Sequence, residues 1–434
     1  MTRTSIYIIL NGRCNSKLYI RKYIMIEYIF TFIIFIFLLL FAYIKLKYPF
    51  WSSQPVFHNY DILRRLCSTP FIINKFQHFK NKYCNLENIK TNYYIDCKEE
   101  NKQHAVNLVQ SFYFNTDQIL HTIQRNDIDC IMTGSSELPM MSIFFENELK
   151  CDTGSLIQQI KTPRGIIFSR PLYFWYMNSL TDTNYNENKI YYIDYLCVDR
   201  VKEKKRVFRE LLQTHLYNQH NLNKDLQISL IKKEIELFEG VIPLVNYQTF
   251  TFKLRNHKIM PLPPHYYMIE LEKENFDVLV DFLYTNKDYC YKTKLYDVLI
   301  FPDIGNIQQM VACGLMKIFC LRNRENIYGF YFFKDAKMYY EEIEGNTLHF
   351  IGSIMNCLIP SLFYNGFLNS LKKILKKDSS FMMLLFEDIG HNCILYEFWK
   401  NNYLPVFTNK TAYYLHNFVH PKSPLDKKRV FVLL

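Results

Sequence analysis

Glycine is scarce in this sequence, 12 residues in 434, while Ile, Lys, Asn and Tyr are abundant. A bias of that kind is what an AT-rich genome imposes, and no mechanism follows from it. Cysteine is sparse as well. Twelve residues, at 14, 67, 84, 97, 130, 151, 197, 290, 313, 320, 357 and 393, are too few for a disulfide scaffold, and no Cys-x-x-Cys pair has zinc spacing. Reduced, mostly buried thiols are the simpler reading, which favours the cytosol, and no metal is expected. Clustered charge is also missing. The formal net charge of +11 suits an anionic partner such as nucleic acid, an acidic membrane surface or the phosphates of a cofactor. Yet the basic residues are scattered, and no nucleic-acid-binding signature appears, so nucleic acid is not expected.

What is present is apolar mass. The 49% hydrophobic and 17% aromatic content excludes disorder and suffices for large cores. A chain of 434 residues exceeds the usual size of one domain, so a pair is expected.

From Tyr28 to Ile44 the chain reads YIFTFIIFIFLLLFAYI without a charge, and Ile24 to Ile26 extend the run beyond Glu27. About twenty residues cross a hydrocarbon core, so residues 24–45 are expected to form a transmembrane anchor. A buried core helix would show a polar face, and a cleaved signal peptide a small-residue cleavage site; neither is found. Arg3, Arg13, Lys17, Arg21 and Lys22 precede the run, and Lys45, Lys47, Arg64 and Arg65 follow it. Five cations against four lean the C-terminal bulk out of the cytosol, against the thiol argument. The expectation is a single-pass membrane protein with its catalytic part facing the cytosol and the orientation open.

Beyond the anchor, strand and helix patterns alternate. IYYIDYLCV (190–198) reads as a central strand, followed by a basic stretch and the helical RVFRELLQTHLYNQ, and DLQISLI (225–231) reads as the next strand. A strand, a basic turn and a helix N-terminus can cradle phosphates. The Pro cluster MPLPPHYY (260–267) reads as a linker. After it come further strand candidates at 327–333, 347–355, 381–388 and 412–419. Two α/β halves are expected to divide near residue 260.

The segment IDYLCVDRVKEKKRVFRELL (193–212) resembles, without a gap, the N-myristoyltransferase stretch in which an Asn-Phe-Leu-Cys-Val strand leads to an Arg-Ser-Lys-Arg-Val turn and helix. PFWSSQPV (49–56) is similar to that family's Phe-Trp-x-Thr-Gln-Pro-Val, and PRGIIFSRP (163–171) to its Gly-Phe-Ile-Ser strand. IPLVNYQTF (242–250) resembles its Lys-Pro-x-x-Thr-Cys-Arg-Tyr-Trp/Phe, and AYYLHNFVHP (412–421) its Tyr-Tyr-Leu-Tyr-Asn-Trp-x-Cys-Pro, with FVLL closing the sequence as in the family. Five such matches in order are specific, and they span about nine tenths of the chain.

The resemblance implies an α/β fold of two tandem GNAT-like halves with pseudo-two-fold symmetry. Residues 1–23 would be a basic N-terminal segment, 24–45 the anchor, 46–258 the acyl-CoA half and 259–434 the peptide half. It implies transfer of a myristoyl group from myristoyl-CoA, a co-substrate and not a resident cofactor, to the N-terminal glycine of a protein. The backbone N–H groups of Tyr195 and Leu196 would form the oxyanion hole. Phe50, Trp51, Gln54, Lys204, Lys205, Arg206 and Val207 would bind acyl-CoA. The terminal carboxylate of Leu434 would be the base, its weak basicity raised by burial of the apolar VFVLL end.

Several positions depart from the pattern. Asp194 stands where the family has Asn, Ile231 where a Thr seats the glycine amine, and Gln248 and Thr251 where it has Arg and His. The stretch between Phe114 and Asp117 is shorter and lacks an acidic run, so peptide recognition must differ. Two other readings therefore stand beside N-myristoylation: an acyltransferase with another acyl chain or acceptor, and a catalytically silent membrane protein that binds acyl-CoA, lipid or a partner.

Overall fold

In the computed structural model, placement is described for residues 4–75, 80–113, 119–151, 157–177, 186–199, 203–254, 261–292 and 295–434. The altered stretch between Phe114 and Asp117 lies outside these residues. Residues 1–54 and 55–434 form two compact units.

The first unit is dominated by helix α1, Thr4–Lys47. No proline interrupts it before Pro49, and Lys45 and Lys47 complement the C-terminal end of its dipole. It is longer than the apolar run: the basic stretch expected as a separate segment is helical from Thr4 onward. Its 44 residues measure about 66 Å at 1.5 Å per residue. Glu27–Lys47 is long and apolar enough to cross a membrane, and none of it is buried, which excludes a core helix.

The second unit is mixed α/β, and the same order of elements occurs in it twice. In the first repeat, strands β1 (Met140–Cys151), β2 (Ile157–Tyr176) and β3 (Asn186–Val198) are antiparallel neighbours. Helix α2 (Lys204–Leu222) then returns the chain to β4 (Ser229–Glu234), parallel to β3. Strands β5 (Val245–Lys253) and β6 (Val298–Pro302) come before the second repeat. There β7 (Met316–Arg322), β8 (Ile327–Tyr340) and β9 (Gly345–Met355) are antiparallel. Helix α3 (Pro360–Lys377) leads to β10 (Phe381–Glu387), parallel to β9, and β11 (Phe407–His416) and β12 (Val430–Val432) complete the chain.

The last strand of each repeat crosses to the other. β5 pairs with β10, β11 pairs with β4, and β5 and β11 pair with each other at the centre. The exchange merges both repeats into one 15-stranded sheet among the described residues. The junction expected at residues 258 and 259 falls within 255–260, outside the described residues.

Both crossover helices are amphipathic. α2 buries Val207, Leu211, Leu212 and Leu216, and α3, opened by Pro360, buries Leu362, Phe363, Phe367, Leu371 and Ile374. Gly366 is required on α3. A Cβ there would lie 2.2 Å from the Tyr331 hydroxyl, which donates to Phe363 O at 2.7 Å.

Candidate active site

The site begins where β3 and β4 part. Their parallel pairing runs from Tyr191 opposite Ser229 to Ile193 opposite Ile231 and then stops. At that point β3 also slips against β2: Asp194 faces Phe168 and Cys197 faces Ile166, so Tyr195 and Leu196 oppose the single residue Ile167. This is a β-bulge, and Tyr195 takes φ = 45° within it, an unfavourable conformation for a bulky side chain. Its ring makes edge contacts with Tyr113, His121 and Phe168 at centroid distances of 5.1, 6.5 and 6.2 Å, which hold the strained backbone in place. The Tyr195 N–H donates to Asp194 Oδ1 at 3.0 Å.

The parting strands open onto a cavity of about 240 Å³. Tyr195, Asp194, Lys232, Glu234, Thr251, Lys334, His349, Glu387 and Leu434 all line it. Leu434 arrives from β12, which lies parallel to β6 and is prolonged by the Leu433 N–H donating to Ile300 O at 2.9 Å. Val430 to Leu433 are each at most 4% exposed, so this segment is threaded through the core, and Leu434 is partly buried. The tail passes β9 at Gly352, whose notional Cβ would meet Phe431 at 3.5 Å and Leu433 at 3.6 Å.

One wall of the cavity is a buried polar network. Glu387 accepts from Lys232 Nζ at 2.8 Å, His349 Nε2 at 2.8 Å and the Tyr247 hydroxyl at 3.0 Å, and Lys232 also reaches Glu234 at 2.8 Å. Burial alone would raise the Glu387 carboxyl, but the Lys232 charge and the His349 bond outweigh it and hold the group below the usual carboxylate range. Burial likewise opposes the Lys232 charge, and the carboxylates of Glu234 and Glu387 reverse the balance and raise it. His349 is lowered by burial, against the pull of Glu387, and so favours its neutral form.

Arg170, which also lines the cavity, is 1% exposed. Its Nε lies 3.6 Å from Asp194 Oδ2 and its Nη1 donates weakly to Asn306 Oδ1 at 3.4 Å, while Nη2 finds no hydrogen-bond partner among the described residues. Burial, reinforced by the Arg170 charge, lowers Lys334 to about 8.

Of the other expected residues in the second unit, Leu196, Lys204, Lys205, Arg206 and Val207 are not among those that line the cavity. Lys204 and Lys205 are exposed at the start of α2, and residues 200–202 of the preceding turn lie outside the described residues. Arg206 is engaged by Glu203 and by Glu210, the latter at 3.2 Å, so its charge is already compensated. Val207 is 3% exposed, its side chain in the core and its N–H donating to Glu203 O at 3.1 Å. Phe50, Trp51 and Gln54 belong to the first compact unit, where the Phe50 and Trp51 rings meet edge to face at 5.0 Å and Gln54 N–H donates to Trp51 O at 2.9 Å.

Arg170, Lys232, Lys334, His349 and Glu387 escaped the sequence reading. Their signal was a charge inside or at the end of an apolar strand, as in SLIKKE, YGFYFFKD and FMMLLFED. Among the described residues no group of three His, Cys, Asp or Glu side chains is placed to hold a metal.

No protein-family model matches the chain, and no curated protein matches it by sequence. Solved structures do match by fold. A crystal structure of Saccharomyces cerevisiae N-myristoyltransferase with bound myristoyl-CoA superposes with a TM-score of 0.62 at 12% identity, covering 89% of this chain and 94% of that one. A structure of the same yeast enzyme with myristoyl-CoA and inhibitors gives 0.62 and 12%, covering 91% and 98%. The chain therefore has the N-myristoyltransferase fold, as the five sequence segments implied, at a divergence where sequence comparison alone finds nothing.

Proposed function

We propose that this protein is a membrane-anchored acyltransferase that moves a fatty acyl group, myristoyl in the first instance, from acyl-CoA to an amine, the N-terminal glycine of a protein. One observation carries the reading: Tyr195 of the Tyr195–Leu196 bulge and the partly buried Leu434 line one cavity at the parting of two parallel strands. The first repeat would hold acyl-CoA and the second the acceptor.

The thioester carbonyl would point at the Tyr195 and Leu196 amides, which stabilise the charge that gathers on oxygen as the amine attacks. In a chain whose mature end is Leu434, its carboxylate would take a proton from the ammonium, freeing the lone pair. The C–N bond forms and the C–S bond breaks. The amine's second proton passes to the departing thiolate, giving amide and CoA. Lys204 and Lys205, exposed at a helix N-terminus, would face the CoA phosphates. Helix α1 would be the membrane anchor.

Asp194 favours a second reading. Its carboxylate occupies the Tyr195 N–H and places negative charge where the oxyanion would form, which suits a protein that binds acyl-CoA without turning it over. Titration of the full-length chain in detergent with myristoyl-CoA, followed by assay of CoA thiol release on adding Gly-initiated peptides, separates the two. Binding with release supports the enzyme, and binding without release supports the silent protein. Absence of binding rejects both.

A further inference from the structure

Resting on the acyltransferase reading, the charges that face the cavity identify its acceptor more closely. Four cations line it, Arg170, Lys232, Lys334 and Lys337, together with the side-chain carboxylates of Asp194, Glu234, Asp335 and Glu387. Most are spoken for. Lys232 is bound by Glu234 and Glu387, each at 2.8 Å, and Lys337 by Asp335 at 3.1 Å and Asp127 at 3.2 Å. Arg170 has a long approach to Asp194, a weak Nη1 bond to Asn306 and a place over the Tyr192 ring at 5.5 Å, and its Nη2 is left without a hydrogen-bond partner among the described residues although the residue is 1% exposed. The half-buried Lys334 ammonium is held by no side-chain hydrogen bond or close ion pair among the described residues, and Asp194 and Glu387 act on it only from a distance.

Lys334 is fixed in this position. On β8 it stands directly opposite His349 of β9, and cross-strand partners share a face of the sheet. That face is the cavity wall, because both side chains line it. A cation drawn partly out of water with no carboxylate in direct contact is costly, and its site is relieved by an anion that reaches it. A bare amine acceptor would bring only another positive charge.

We propose that Lys334 and the free edge of Arg170 form an anion subsite, and that the acceptor is an acidic amine, one whose amino group lies a few bonds from a carboxylate. A Gly-initiated peptide with Asp or Glu at its second or third position has this chemistry, and so does a free amino acid. The amine is delivered to the bulge and the base, and the carboxylate to Lys334.

The test uses the full-length chain in detergent with myristoyl-CoA and follows CoA thiol release. The acceptors are C-terminally amidated Gly-Asp, Gly-Glu, Gly-Ala and Gly-Lys peptides, free glycine and free glutamate. Acidic acceptors should exceed Gly-Ala about tenfold to a hundredfold in kcat/KM, as a charge-assisted bond warrants. Lys334→Met should erase the preference and Lys334→Glu should turn it toward Gly-Lys, with myristoyl-CoA affinity unchanged in both as the check on folding. Preference among the peptides or among the free amino acids identifies the source. If no acceptor releases thiol, calorimetry of the same ligands onto the acyl-CoA complex gives the answer: acidic preference lost in Lys334→Met supports the subsite, and no preference overturns it. Equal use of Gly-Ala and Gly-Asp overturns this inference and leaves the acyltransferase reading intact, whereas failure to bind myristoyl-CoA overturns that reading itself.

Discussion

The two repeats carry the same irregularity and put it to different uses. In the first, pairing of β3 with β4 ends at Ile193, and the bulge follows at Tyr195 and Leu196. In the second, pairing of β9 with β10 ends at Phe350, and β9 slips by one residue against β8 at Ile351. The first parting is left open and lined with charge. At the second, Phe431 and Leu433 of the C-terminal strand lie against Gly352, the residue after the bulge. The plugged parting delivers Leu434 to the cavity at the open one. Two clefts thus arise, and Phe431 and Leu433 fill one while Leu434 lines the other.

The largest effect should come from breaking that delivery. Amidating Leu434 in a semisynthetic protein removes the charge and hardly alters shape, and should lower acyl transfer about 100-fold or more with acyl-CoA affinity unchanged. Equal rates for the acid and the amide would show that the tail only fills space. Gly352 tests the plug. Gly352→Ala places a methyl group at ordinary contact distance and should be silent, whereas Gly352→Leu should collide with Phe431 and Leu433 and cost about 1 to 3 kcal/mol in denaturant unfolding. Transfer should fall further than acyl-CoA binding, since the tail is displaced and the first cleft is not.

The open cleft can be sharpened at Asp194. Asp194→Asn keeps an acceptor for the Tyr195 N–H and removes negative charge from the oxyanion position, and should raise kcat about tenfold. A fall in rate would mean that Asp194 matters more for holding Arg170, 3.6 Å away, than it harms the transition state. At the edge of the same repeat, Lys204→Ala with Lys205→Ala should weaken acyl-CoA binding about tenfold, each phosphate contact being charge-assisted. Arg206→Ala should change it little, because Glu203 and Glu210 already hold that guanidinium.

Legibility in the sequence followed sequence separation. The strand at 190–198, the helix after it and the bulge residues are local features, carried by β-branched periodicity and a contiguous motif. The exchange of β5 and β11 leaves no local mark: nothing in VNYQTFTF or AYYLHNFV says that each pairs with the opposite repeat. The cavity charges were hidden for the same reason. Lys232 and Glu387 are 155 positions apart, and each alone reads as a solvated strand end. Arg206 shows the opposite case, where the ion pairs are local. A basic run suggested free cations, while the acidic residues at i−3 and i+4 on the same helix neutralise one of them.

The smallest effect is one of stability, and its sign separates a binding cation from a structural one. Burial holds folded Lys334 at about 8, below the ordinary lysine value, so the unfolded chain binds the proton more tightly. Below pH 8 both states are protonated and the full penalty stands. As pH rises from 8 toward 10 the folded state loses the proton first, and stability should climb. Lys334→Met should therefore be more stable than the parent by about 1 to 3 kcal/mol at pH 7, with the gap closing by pH 10. Paired urea titrations at pH 7, 8.5 and 9.5 measure it. Those pH values stay below the range where the buried tyrosines, raised above their ordinary value, begin to oppose the trend. A variant less stable than the parent at pH 7 would show that Lys334 is paired in solution, and an ammonium already neutralised has no charge to offer an acidic acceptor.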